Sequence, residues 1–267
     1  MYRVIEQCFE QLLLDAEPPF ESAEELSRWL VARSVPPAGR VALEDQGPQA
    51  LLRYRQLARQ TLSGAVQRIL PRATARLGDD FEPEFGAVLE RYPPSTAFLR
   101  DVAGDFVRHA EGGWSVASTS RVPNYIAELA RYELTHIELS GEQDGSPAIV
   151  SQELALERGV VFARAVRLLH FDHAIHELSD DIDDHSAPEH RPTTLLVYRD
   201  PKHEIRYLSV SPLVASLVAL LREGVALESA LKQAFEKHEQ LRTAENLQHT
   251  AGLLADFAER GIIVGSA

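Results

Sequence analysis

The sequence predicts an α+β fold: an all-helical N-terminal domain followed by a smaller winged-helix-like domain with a β-hairpin. Two observations carry this. Apolar residues recur at helical spacing from the start to about residue 140, and two short β-type runs, TTLLVYRD and EIRYLSV, stand close together after residue 190. The stretch Gly141–Pro147 (GEQDGSP) separates the two kinds of signal, so domains of 1–145 and 146–267 are expected.

Val4, Ile5, Phe9, Leu12 and Leu13 share a helix face before Pro18-Pro19. Ser22 with Glu25 reads as a capping box opening a short helix with Leu26, Trp29 and Leu30, which Pro36-Pro37 stop. Residues 36–48 read as a loop. A long amphipathic helix follows from Gln49 to Leu70. Pro71 either kinks it or starts its successor, and Gly78 is placed to cap that one. Asp79 or Asp80 opens a helix with Phe81, Phe85, Val88 and Leu89. Ser95 caps the next, with Phe98, Leu99, Val102, Phe106 and Val107, which Gly112-Gly113 break. After Pro123, Tyr125, Ile126, Leu129, Ala130 and Leu134 mark another.

Beyond Gly141–Pro147, GVVFARAVRLLHF is rich in β-branched residues and has strand character. Pro201-Lys202-His203 is a plausible hairpin turn between the two β-type runs. Leu213–Leu221, Leu227–Phe235 and Leu253–Phe257 read as helices, with Gly224 as a break and GIIV as a last strand.

The 267 residues carry 27 basic and 40 acidic side chains, a net charge of −13. That field opposes nucleic-acid binding, which depends on neutralising phosphates. No run of about 18 apolar residues occurs, which argues against a membrane-spanning helix. The single Cys8 excludes a disulfide framework and a cysteine-based zinc or iron–sulfur site within the chain. The N-terminus lacks the pattern of a secretory signal, so a cytoplasmic location is expected.

Leu52-Arg53-Tyr54-Arg55, Leu70-Pro71, Leu77-Gly78-Asp79-Asp80-Phe81, Tyr92-Pro93-Pro94-Ser95 and Leu129-Ala130-Arg131-Tyr132-Glu133 stand in one order and spacing. Together with Leu195–Asp200 and Leu227–Leu231 they resemble a bacterial family whose N-terminal region carries a DNA-binding label. That family includes partner subunits of multinuclear iron-dependent oxidases that modify ribosomally made peptides, such as the methanobactin oxidase partner. Gln56, Leu70 and Thr135 depart from the residues common there and mark a divergent branch. The resemblance implies a non-catalytic subunit with no cofactor of its own. It would bind an oxidase that holds the iron, and would recruit the leader of a precursor peptide.

Arg53, Arg55, Arg59, Arg68, Arg72 and Arg76 lie in a stretch, 48–77, with no Asp or Glu. Arginine forms bidentate contacts to carboxylates, so an interface for an acidic partner is one reading, with Arg53, Arg55, Arg59, Arg68 and Arg72 as its residues. A solvated face paired with acids from other helices is the other. Peptide recognition is expected by strand addition beside the hairpin, through Leu195, Val197, Arg199, Ile205 and Tyr207. Leu195, Val197 and Arg199 would share one face of their strand, with Leu196 and Tyr198 on the other.

His170, Asp172, His173 and His176 offer ligand chemistry for iron or zinc. Their spacing suits neither a helix nor a strand as a three-ligand site, and no metal is assigned. Asp180, Asp181, Asp183 and Asp184, followed by His185, form an acidic run that reads as a solvated loop, with attraction of a cation or a basic peptide as the other reading. Cys8, between Gln7 and Phe9 on an apolar helix face, reads as a core thiol. No nucleophile elbow, Walker A or dinucleotide-binding motif is present. A DNA-binding regulator is the alternative function, with 227–240 as the recognition-helix candidate.

Overall fold

A computed structural model describes residues 2–14, 18–93, 98–115, 122–142, 151, 153–239 and 243–266. The fold is α+β, and the chain divides into two compact units. One comprises Met1–Leu134 with Ser179–His185; the other comprises Thr135–Leu178 with Ser186–Ala267. The expected boundary at 145–146 and the Ser95 cap lie outside the described residues.

The first unit contains α1 (Tyr2–Leu14), α2 (Ala23–Ala32), α3 (Pro37–Gln46), α4 (Pro48–Ile69), α5 (Pro71–Leu77), α6 (Phe81–Arg91) and α7 (Leu99–Glu111), together with the part of α8 (Tyr125–Gly141) up to Leu134. The capping box forms as read: Glu25 N–H donates to Ser22 Oγ at 3.3 Å, and Ser22 N–H donates to Glu25 Oε2 at 3.0 Å. The expected loop at 36–48 is instead α3. Pro37 sits in its first turn, where a missing N–H costs nothing and the fixed φ already suits a helix. Pro48 and Pro71 start α4 and α5 in the same way. Prolines in this unit therefore mark helix starts more than helix stops. Gly47 (φ 78°) and Gly78 (φ 54°) supply the left-handed backbone that turns the chain between helices.

Cys8, Leu12, Phe20, Leu26 and Leu30 form one core of this unit. Phe85, Val88, Leu89, Phe106 and Leu129 are also buried in it. Phe98, expected on an apolar helix face, precedes α7 and is exposed, with the Arg100 guanidinium over its ring.

In the second unit, β2 (Val166–Phe171), β3 (Thr193–Arg199) and β4 (Ile205–Ser209) form an antiparallel sheet in the order β2-β3-β4. β1 (Val160–Phe162) pairs with β5 (Ile263–Ser266). The β3–β4 turn is locked by Asp200, whose Oδ1 accepts N–H bonds from Lys202 at 2.9 Å and Glu204 at 3.0 Å. Helices α9 (Pro212–Arg222), α10 (Leu227–Lys237) and α11 (Ala244–Glu259) complete the unit. Gly224 (φ 83°) makes the turn between α9 and α10. Leu196, Tyr198 and Leu208 join one core with Leu217, Val218, Phe235 and Phe257 from the helices. No described helix is long and apolar enough to cross a membrane.

Replacing Phe257 with Ala should lower the denaturant stability of this unit by about 3–5 kcal/mol, because a fully buried ring leaves a cavity. Leu247→Ala, at an exposed position on α11, should shift it by no more than about 0.5 kcal/mol.

Candidate functional site

The arginine-rich stretch divides by geometry. At about 100° per residue, Arg55 and Arg59 fall on the same side of α4 as Leu51, Leu62 and Val66. There Arg55 Nε donates to the Leu12 carbonyl at 2.9 Å, and Arg59 donates to the Leu13 carbonyl at 2.9 Å. These are carbonyls in the last turn of α1, which have no partner within the helix. The two guanidinia thus supply positive charge where the helix dipole is negative. Burial pulls the Arg59 pKa down against the raising effect of Glu82 and Glu90.

Arg72 is buried in α5. Its Nε lies 3.1 Å from Glu133 Oε1. The same carboxylate accepts the main-chain N–H groups of Arg72 and Ala73, both at 3.1 Å, so Glu133 caps the N-terminus of α5 from α8. Arg72 Nη1 also reaches the Ser179 carbonyl at 3.1 Å and Asp180 Oδ1 at 3.2 Å. Arg76 Nη2 donates to the Asp184 carbonyl. Burial pushes the Glu133 carboxyl pKa up, beyond what its hydrogen bonds and Arg72 pull down. Arg72 is therefore internal, and Arg55 and Arg59 are half-buried with their guanidinia bonded to α1, which corrects their reading as partner-interface residues. Their side chains are consumed by carbonyls and carboxylates of the same unit. Arg53 and Arg68, on the opposite side of α4, are exposed.

The acidic run does not simply solvate itself. Asp180 and Asp184 lie against Arg72 and Arg76, and Asp181 Oδ1 accepts the Asp183 N–H at 3.0 Å.

The expected peptide-binding residues also separate. β3 pairs with β2 on one side (Leu168 with Leu196) and β4 on the other (Val197 with Tyr207), so it offers no edge. Leu195 and Val197 are 0% exposed, and so is Leu196 on the opposite face. Arg199 Nη1 points to the carbonyls of Leu139 and Ser140 at the end of α8, each at 3.4 Å. Leu195, Val197 and Arg199 are thus corrected from ligand contacts to core and helix-capping positions. The expected two-strand unit failed because the third strand came from the LLHF run of the preceding segment.

Ile205 and Tyr207 remain, half-buried on β4, which among the described residues has a strand neighbour on one side. The Val210 N–H bond to the Thr194 carbonyl, 3.0 Å, fixes the alternation. Ile205 and Ser209 therefore turn their main-chain groups away from β3. Tyr207 OH lies 2.9 Å from His136 Nδ1, and the two rings stack with centroids 6.2 Å apart. His136 was missed in the sequence, where it is one more polar residue on a helix.

The histidines do not converge. His170 Nδ1 meets Thr194 Oγ1 at 3.0 Å, His173 packs edge-on to His190, and His176 Nε2 is 3.8 Å from Glu177. Among the described residues no three His, Cys, Asp or Glu side chains are placed to hold a metal ion. Cys8 is 3% exposed, and burial pushes its thiol pKa up.

A second buried polar pair, also missed, joins α6 to α7. His109 Nε2 lies 2.7 Å from Glu84 Oε2, and Glu84 also accepts bonds from the Ser115 N–H and Oγ. Both side chains lie in the interior. On α10 the exposed charges are Glu228, Lys232, Glu236 and Lys237, a balanced set with no excess of positive charge for phosphates.

Residues 163–258 match the family described as the HvfC C-terminal domain. The HvfC-like segment contains the whole β2-β3-β4 sheet, α9 and α10. No curated protein matches the chain.

Glu133→Ala should destabilise the helical unit by about 3–5 kcal/mol in chemical denaturation, because it strands the buried Arg72 charge. Cys8 should resist alkylation at neutral pH in the native protein and react on unfolding, read by mass spectrometry.

Proposed function

We propose that this protein is a non-catalytic accessory subunit of a multinuclear iron-dependent oxidase and that it recruits the ribosomally made peptide which the oxidase modifies. The match of residues 163–258 to the HvfC C-terminal domain is the observation that carries this reading. The motifs spread over residues 52–231 support it from the sequence side. The iron belongs to the oxidase, and this chain brings no cofactor.

The peptide is recruited at β4. Strand addition draws affinity from main-chain hydrogen bonds and specificity from side chains on alternate sides. β3 is enclosed, whereas β4 borders the sheet and turns the main-chain groups of Ile205 and Ser209 outward. Tyr207, braced by His136, then meets the side chains of the added strand.

Hydrogen exchange with and without the precursor peptide tests this. Added protection is expected at Ile205–Ser209, with little change in Thr193–Arg199, already bonded on both sides. Unchanged exchange in β4 at saturating peptide would place recognition elsewhere.

A further inference from the structure

We infer that the outer stripe of α4, Arg53–Leu57–Gly64–Arg68, is a docking surface for an acidic amphipathic helix of the oxidase subunit. This rests on the accessory-subunit reading and names the surface and chemistry of its contact. At about 100° per residue these four positions lie within about 60° of one another, opposite the buried Leu51 and Val66. They span four turns, with roughly 22 Å between the two arginines along the axis.

The stripe has the makings of an interface. Leu57 is 59% exposed, and Tyr54 beside it is 50% exposed with one side of its ring packed edge-on to Phe9 at 5.1 Å. Tyrosine and arginine around an apolar anchor are the residue types that dominate contact energies. Gly64 keeps the middle of the stripe low: only Arg68 Nη1 lies near the place a Cβ would take, at 3.6 Å. A partner side chain can therefore lie across the helix there.

Charge selects the occupant. α4 has no Asp or Glu in its length. Arg53 and Arg68 make no hydrogen bond or ion pair among the described residues, although the chain has 40 acidic side chains against 27 basic. The four other arginines of the stretch are all bonded to carbonyls or carboxylates of their own unit. Two exposed cations flanking an apolar centre fit a helix with a central apolar side chain and carboxylates toward both ends. A second copy of the stripe would set arginine against arginine. A nucleic acid would meet the field of a chain at −13.

The test measures affinity of the full chain for the purified oxidase subunit by calorimetry, for the native sequence, Leu57→Glu and the double variant Arg53→Glu/Arg68→Glu. All three positions are solvent-facing, so circular dichroism and the thermal midpoint should be unchanged. Each variant should weaken oxidase binding about tenfold or more. Binding of the precursor peptide should stay as in the native protein, and the native affinity should fall as salt rises. If the native chain binds the oxidase and the folded variants bind it equally well, the stripe is not the interface and the inference is wrong, while the accessory reading stands. If the native chain fails to bind the oxidase at all, the accessory reading fails and takes the inference with it. Concentration-dependent dimers abolished by Leu57→Glu, or duplex DNA bound through the two arginines, would also overturn it.

Discussion

The helical unit depends on one buried carboxylate. Glu133 serves three donors at once: the main-chain N–H groups of Arg72 and Ala73 and the Arg72 guanidinium. A short helix such as α5 cannot hold itself, since nucleation costs more than a few propagated bonds return. Pro71 fixes its first turn and Glu133 satisfies its orphan donors. Arg72 must then be buried too, because a lone carboxylate in the interior would not remain charged. Its guanidinium has donors left over, and these gather the Ser179 carbonyl and Asp180. Segment 179–185 therefore belongs to the helical unit, although both its flanks belong to the other one.

The same device recurs. Arg55 and Arg59 end α1, and Arg199 ends α8, each by donating to carbonyls of the last turn. Guanidinium suits this task because its charge is permanent and its planar donors reach two acceptors without reorientation. An acidic chain gains a second advantage. Positive groups set against helix C-termini find acceptors within their own unit, where a charge-assisted hydrogen bond contributes more than an exposed salt bridge in water. Arg55, Arg59, Arg72, Arg76 and Arg199 thus act as fasteners within their own units.

Much of this was legible in the sequence, and the failures have physical causes. The long helix 48–69 and the hairpin were readable because their periods are unambiguous. α3 was hidden by Pro36-Pro37, since a proline that ends one helix also suits the first turn of the next. The inward side of Arg55 and Arg59 could have been seen: a wheel puts both beside Leu51, Leu62 and Val66, and Arg53 opposite. Arg72 could not, because Glu133 is 61 residues away and nothing local pairs them. The Glu84–His109 and Tyr207–His136 contacts are hidden for the same reason. Centrality of β3 was the costliest miss. TTLLVYR is a nearly unbroken apolar run, the mark of a strand buried on both faces, and an edge strand would have alternated.

That last distinction also organises the second unit. β4, IRYLS, is interrupted by Arg206 and ends on Ser209, both exposed, as suits a strand at the margin of a sheet. The HvfC-like match begins just before β2 and ends within α11, so it includes the sheet and excludes β1 and β5. Those two strands pair with each other, Val160 opposite Ser266, and the Ser151 bridge to Ser266 adds to the same ribbon. The ribbon joins the chain on either side of the match without touching the order β2-β3-β4. It can tie the unit together while leaving β4 at the margin. The buried β3 fixes the register, the ribbon holds the chain on both sides of the match, and β4 lies at the margin of the sheet among the described residues.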